Sequence, residues 1–71
     1  MSIEIVAPMP GTIINILVNV GDEVLEYQEV LILEAMKMEN QLLAEADGIV
    51  AKFHAEPGET LKVDQPIIEF E

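Results

Sequence analysis

The sequence predicts a small all-β fold, a sandwich or flattened barrel, and three observations carry that prediction. β-Branched residues dominate the apolar set: nine Ile and seven Val stand against seven Leu, a balance that favours strands over helices. Short apolar runs alternate with turn signals at a spacing of about ten residues, the pattern of small all-β folds. The chain also contains itself twice. At positions 37 apart, Ala7 meets Ala44, Gly11 meets Gly48, Gly21 meets Gly58, Gln28 meets Gln65 and Glu34 meets Glu71. Similar residues fill in between, among them Ile13 with Val50, Ile16 with Phe53, Val24 with Leu61, Val30 with Ile67 and Leu33 with Phe70. No gap is needed. One domain over residues 1–71 is expected, with internal repeats at about 1–34 and 38–71. Two copies are too few for a solenoid, so a closed pseudo-two-fold pair is expected.

Taken in order, Ile3 to Ala7 opens the first copy as a strand. Pro8 and Pro10 cannot donate to a ladder, so Ala7-Pro8-Met9-Pro10-Gly11 reads as a bend or edge. Thr12 to Leu17 is the next strand, and it leads to the turn Val20-Gly21-Asp22. Val30 to Ala35 closes the copy. In the second copy Ile49 to Phe53 leads to Pro57-Gly58-Glu59, whose Pro-Gly fits the centre of a type II turn. Pro66 to Phe70 ends the chain. Glu34 to Ala46 is rich in helix formers, and propensity alone makes it a helix. The repeat instead sets Leu42-Leu43 against Ile5-Val6, and tertiary context commonly overrides propensity. A strand is therefore expected there.

Composition excludes several classes of function. The chain has 71 residues, three Lys, no Arg and fourteen acids, for a net charge of −11. Such a surface repels nucleic acid and anionic membrane. Without Arg there is no bidentate clamp for phosphate or carboxylate. The four glycines are scattered and form no phosphate loop,. No Cys is present, which excludes disulfides, Cys-based zinc sites and Cys nucleophiles,. Mean hydropathy is positive, which argues against disorder. A chain of this size buries only about 60% of its unfolded surface, so an aliphatic core must hold it together. No apolar run is long enough to span a bilayer, and Met1-Ser2-Ile3-Glu4 lacks a basic n-region,. A cytoplasmic monomer is the expectation.

The joint between the copies is Ala35-Met36-Lys37. Under a two-fold axis it maps onto the gap between the chain ends, so a tether at the ends presents Lys37 outward. Two of the four methionines flank this lysine, although Met ordinarily fills core gaps. On the residues alone, a turn lysine beside two partly buried Met side chains explains the pattern as well as a functional lysine does.

Glu34-Ala35-Met36-Lys37-Met38-Glu39-Asn40 resembles the attachment motif of biotin carboxyl carrier domains, in which Ala-Met-Lys-Met carries biotin on its lysine. Ala7-Pro8-Met9-Pro10-Gly11 resembles the opening of many of them, and the likeness covers essentially the whole chain. The resemblance implies a flattened β-barrel of two four-stranded antiparallel sheets, with Lys37 in a tight hairpin. It implies covalent biotin on Lys37, with Glu34, Ala35, Met36 and Met38 as the flanking motif. It further implies three partners: a biotin protein ligase, a biotin carboxylase, and a carboxyltransferase or decarboxylase subunit. The ligase activates biotin as an acyl-adenylate for the lysine amine to attack, and the two later sites load and unload a carboxyl group. A lysine suits this work because it places one nucleophilic amine on a long stem. No thumb-like insertion precedes the lysine, which favours carriers of acyl-CoA or pyruvate carboxylases and decarboxylases over bacterial acetyl-CoA carboxylase.

The chain itself is expected to be a carrier and not an enzyme. No nucleophile–base pair is evident, and the one His, His54, shows no acid partner in the sequence,. Opposite Leu17 in the repeat, His54 reads as a packed or edge residue, and a lone His makes no metal site. No calcium-loop spacing appears. Lys52 and Lys62 read as solvated, and Tyr27 as packing. The nearest rival is a lipoyl carrier domain of a 2-oxoacid dehydrogenase-type complex, which shares the fold and lysine position. Those domains usually flank the lysine with Asp and Ala and tend to carry Gly eleven residues before it, where Glu26 stands here. The rival from another class is an unmodified acidic scaffold.

Overall fold

A computed structural model describes residues 3–71 of the chain. Met1, the counterpart of Met38 in the repeat, lies outside them. Eight strands follow in order: β1 (Ile3–Val6), β2 (Gly11–Ile16), β3 (Glu23–Val24), β4 (Glu29–Ala35), β5 (Met38–Leu43), β6 (Gly48–Phe53), β7 (Thr60–Leu61) and β8 (Pro66–Phe70). They form two four-stranded antiparallel sheets, ordered β1-β8-β6-β3 and β5-β4-β2-β7. Adding 37 to the residue numbers turns the strands of one copy into those of the other and the first sheet into the second. Each sheet takes two strands from each copy.

The repeat extends to individual bonds. Ala7 N–H donates to Gln65 O and Asp64 N–H to Ala7 O; in the other copy Ala44 N–H donates to Gln28 O and Tyr27 N–H to Ala44 O. Gly58 N–H bonds Ile13 O as Gly21 N–H bonds Val50 O. The identical glutamines have a reason as well. Gln28 Oε1 accepts from Leu25 N–H at 3.1 Å, and Gln65 Oε1 from Lys62 N–H at 3.0 Å. Each side chain satisfies a turn amide that the ladders leave free.

Strand alternation breaks at four places, and these too come in pairs. Register shifts occur between Ile13 and Asn15 and between Val50 and Lys52. Two more pass over Val30 in β4 and Ile67 in β8. Such bulges bend and twist a strand. They also turn two consecutive side chains inward, so Val30-Leu31 and Ile67-Ile68 are all fully buried. The core joins these to Ile13, Val24, Leu33, Val50, Leu61 and Phe70. Its members are the repeat-related apolar pairs of the sequence.

The segment of helix formers is strand β5, because its backbone completes the edge of β4 from Glu29↔Leu43 to Ala35↔Met38. Three sequence expectations need adjustment. Leu17 lies just beyond β2 and Ala7 just beyond β1, while Gly11, Glu29 and Gly48 begin strands. The two-residue strands β3 and β7 were marked in the residues only by the Val24–Leu61 match. Tyr27 is not a packing residue. It stands at φ 70° and 73% exposed at the third position of the turn Leu25–Gln28, where backbone geometry lifts the side chain off the core. Its repeat partner Asp64 has φ 66°.

Gly21 and Gly58 have φ 94° and 90°, and a methyl group added at either would meet nothing within 4 Å. Only the backbone conformation is at stake. Gly21→Ala and Gly58→Ala are each expected to cost about 1–2 kcal/mol, equal within error. Urea unfolding is expected to give matched decreases in midpoint with an unchanged slope.

Candidate functional site

Lys37 sits on the two-residue connection between β4 and β5. Ala35 and Met38 are paired across the ladder, with Glu34↔Glu39 and Leu33↔Asn40 below them. Met36 and Lys37 have φ 55° and 63°, the positive-φ pair of a type I′ hairpin. Such turns are ordinarily built from Asn and Gly, which enter this region with little strain. Here a Met and a Lys occupy it. For non-glycine residues that conformation costs on the order of 1–3 kcal/mol each and persists only where the surroundings enforce it. Those surroundings are visible. Ala35 is buried beside the turn, and the β4–β5 ladder runs without interruption from Leu31↔Leu42 to Ala35↔Met38.

The apolar residues of the tip face solvent. Met36 is 90% exposed and Met38 66%, so the reading of partly buried methionines fails. Both stand beyond the end of the barrel, where no core remains to receive them. Lys37 is exposed between them. Glu34 and Glu39 lie opposite one another on the two arms of the hairpin, both exposed. Among the described residues the ion pairs all involve His54, so no carboxylate ties down the lysine amine. A primary amine displayed on a short, rigid turn suits covalent loading by an external enzyme. The residues present therefore fit a group joined through an amide at Lys37 Nζ. Asn40 Nδ2 donates to Met38 O at 3.3 Å, a further restraint at the base of the tip.

Of the residues the sequence singled out, Glu34, Ala35, Met36, Lys37 and Met38 are brought together here. His54 is elsewhere, and it has acid partners after all. Its Nε2 lies 3.0 Å from Glu69 Oε1 and 3.4 Å from Glu4 Oε2. The partners are far from His54 in sequence, and the pairing of β1 and β6 with β8 assembles them. Glu4 and Glu69 face each other across β1 and β8, and like charges so placed repel. The His54 ring lies within reach of both carboxylates. One histidine nitrogen and two carboxylate oxygens thus lie within 4.8 Å of one another. The barrel does not need the cluster, because the repeat-related Leu17, Gln41 and Ile32 keep the same backbone bonds without it.

Comparison with known proteins agrees with this geometry. The chain is 52% identical over 62 residues to the biotin carboxyl carrier protein of Streptococcus mutans, covering 87% of this chain and 48% of that protein. It is 52% identical over 67 residues to the propionyl-CoA carboxylase alpha chain of Ruegeria pomeroyi, covering 94% of this chain and 10% of that one. The chain thus spans about half the length of the first relative and a tenth of the second. Among solved structures, the lipoyl domain of the 2-oxoglutarate dehydrogenase complex from Azotobacter vinelandii superposes with a TM-score of 0.83 at 25% identity, covering 97% of this chain and 95% of that domain. The model of one family, Biotin_lipoyl, described as a biotin-requiring enzyme, matches residues 3–70. That match takes in nearly every residue described, and the chain belongs to the Biotin_lipoyl family.

Proposed function

We propose that the chain is a biotin carboxyl carrier, with biotin held as an amide on Lys37 Nζ. The observation that carries this reading is a lysine displayed at the tip of a strained two-residue turn between two exposed methionines. The relatives named as a biotin carboxyl carrier protein and a propionyl-CoA carboxylase alpha chain support it. When bound, biotin supplies a ring that accepts and releases a carboxyl group. The chain's own part is placement. The β4–β5 ladder holds the lysine backbone, from which the neutral amine would attack the acyl carbon of a biotinyl-adenylate, forming the amide and releasing AMP and a proton, and the long side chain would hold the attached group clear of the barrel,.

The partners are a ligase that attaches biotin, a biotin carboxylase, and a carboxyltransferase or decarboxylase site, with an acyl-CoA or pyruvate as the acceptor of a carboxylase. The carrier itself turns over neither ATP nor acyl-CoA, since the chain has no Arg and no Cys and its one histidine lies in an exposed ion cluster away from the hairpin. Lipoylation is the second reading, favoured by the likeness to a lipoyl domain. The Met-Lys-Met tip and Glu26 in place of the usual glycine weigh against it.

Incubation with a biotin protein ligase, biotin and ATP is expected to add one biotin per chain by intact mass. Lys37→Arg abolishes the addition, whereas Lys52→Arg and Lys62→Arg leave it intact. Labelling that survives Lys37→Arg overturns the assignment, and efficient loading by a lipoate ligase promotes the second reading. The loaded carrier is expected to release no phosphate from ATP until a biotin carboxylase is added; phosphate release by the carrier alone contradicts a purely carrying role.

Exchanging Met36 and Lys37 tests whether the turn orients the amine. The exchange keeps composition and charge, and both side chains are exposed, so the melting temperature is expected to stay near the parent's. The initial biotinylation rate is expected to fall at least tenfold, since covalent attack tolerates little misplacement. A comparable rate in a normally folded exchanged protein means that the hairpin does not direct the lysine.

A further inference from the structure

Gly11 opens β2 at the end of the barrel that carries the Lys37 hairpin. It pairs with Leu61 of β7, while its neighbour Thr12 faces Glu34 of β4. The end of β4 lies close against it. A methyl group at Gly11 would stand 2.5 Å from the Glu34 carbonyl oxygen, 3.1 Å from Leu33 Cγ and 3.3 Å from Ala35 Cβ. The nearest of these is backbone and cannot rotate away. Gly11 is not at positive φ, so glycine is required here for space and not for conformation.

The three crowded residues lead directly into the turn. Met36 and Lys37 follow Ala35 and are held at positive φ, a state that relaxes unless its surroundings prevent it. Any side chain at Gly11 must force β2 and β4 apart at Glu34, and a displacement of β4 there reaches the turn within two residues. The pseudo-two-fold provides a matched comparison. Gly48 holds the same place in the second copy, where a methyl group would meet the Glu71 carbonyl oxygen and Phe70 Cβ, both at 3.2 Å. That contact lies at Phe70 and Glu71, not at residues that lead into the Lys37 turn.

We infer that Gly11 is a positioning residue for Lys37. By letting β2 lie against the carbonyl of Glu34, it sets the height and tilt of the hairpin and so the point at which the amine meets its partner enzymes. The inference rests on the carrier reading above.

The test compares Gly11→Ala and Gly48→Ala with the parent. Amide NMR spectra report the displaced segment, thermal melting reports stability, and initial rates with a biotin protein ligase give kcat and KM for the carrier as substrate. Both variants are expected to melt lower than the parent. Gly11→Ala is expected to shift the amide signals of 33–40 and to lower kcat about 10- to 100-fold, in line with the cost of a misplaced reacting group. Gly48→Ala is expected to leave those signals in place and kcat within about twofold of the parent, since its close contacts are with Phe70 and Glu71 and not with the hairpin,.

A Gly11→Ala carrier loaded at the parental rate overturns the inference, as does an equal loss of kcat in both variants. If Gly11→Ala is unfolded in buffer, all three proteins are compared in trimethylamine N-oxide, which favours the compact state. Failure to fold even there also overturns it, because the glycine then serves the barrel as a whole. If the parent itself takes no biotin, the carrier reading fails, and the NMR comparison still decides whether Gly11 places the hairpin.

Discussion

The backbone hydrogen bonds that pass between the two copies hold this fold together. Neither copy makes a sheet of its own. β1 lies on β8, β4 lies on β5, and the short strands β3 and β7 close against β6 and β2 of the opposite copy. The loop bonds follow the same rule, with Ala7 joined to Gln65 and Asp64, and Ala44 joined to Tyr27 and Gln28. A single copy would keep only its central pair, β2 with β4 or β6 with β8, and would leave its other strands unpaired and its apolar faces in water. Packing within a chain this short is marginal, so the shared core can form only when both copies close together.

Two-fold closure also decides where the chain can carry a functional group. At one end of the barrel Ile3 is paired to Phe70. The equivalent place in the other copy must be bridged by the covalent chain, and Met36 and Lys37 form that bridge. Everywhere else the two copies solve the same problem in the same way, with Gly21 and Gly58 at one pair of turns and Tyr27 and Asp64 at the other. Among the described residues the bridge has no counterpart. It is a place where residues can be chosen for chemistry without disturbing a symmetric partner, and strained non-glycine residues occupy it.

The acidic surface is consistent with a molecule that works by visiting others. A net charge of −11 makes like-charge repulsion between copies of this surface the dominant long-range term. Glu34 and Glu39 bring that charge up to the base of the hairpin, where a partner with a basic rim would meet it. The His54 cluster, by contrast, breaks the internal symmetry without touching the backbone pattern, and it belongs to the sheet that holds the chain ends.

The sequence alone determined the strand-rich class, the places of the longer strands and the membership of the core, and it singled out Lys37 as the candidate for modification. It could do so because these depend on local quantities: β-branched content, apolar residues at matched positions of a repeat, and a short motif around Lys37. The repeat also settled β5, where propensity pointed to a helix. Only the tertiary structure decided the rest. The positive φ of Met36 and Lys37 has no local signature, since neither is Gly or Asn and the ladder of β4 and β5 imposes it. Tyr27 is exposed because the turn geometry is set by Ala44, seventeen residues away. Glu4, His54 and Glu69 meet because β8 lies between β1 and β6. Gly11 shows the difference most clearly: the sequence presents a glycine after a proline, and the need for it arises only from the carbonyl of Glu34, brought against it by the pairing of β2 with β4.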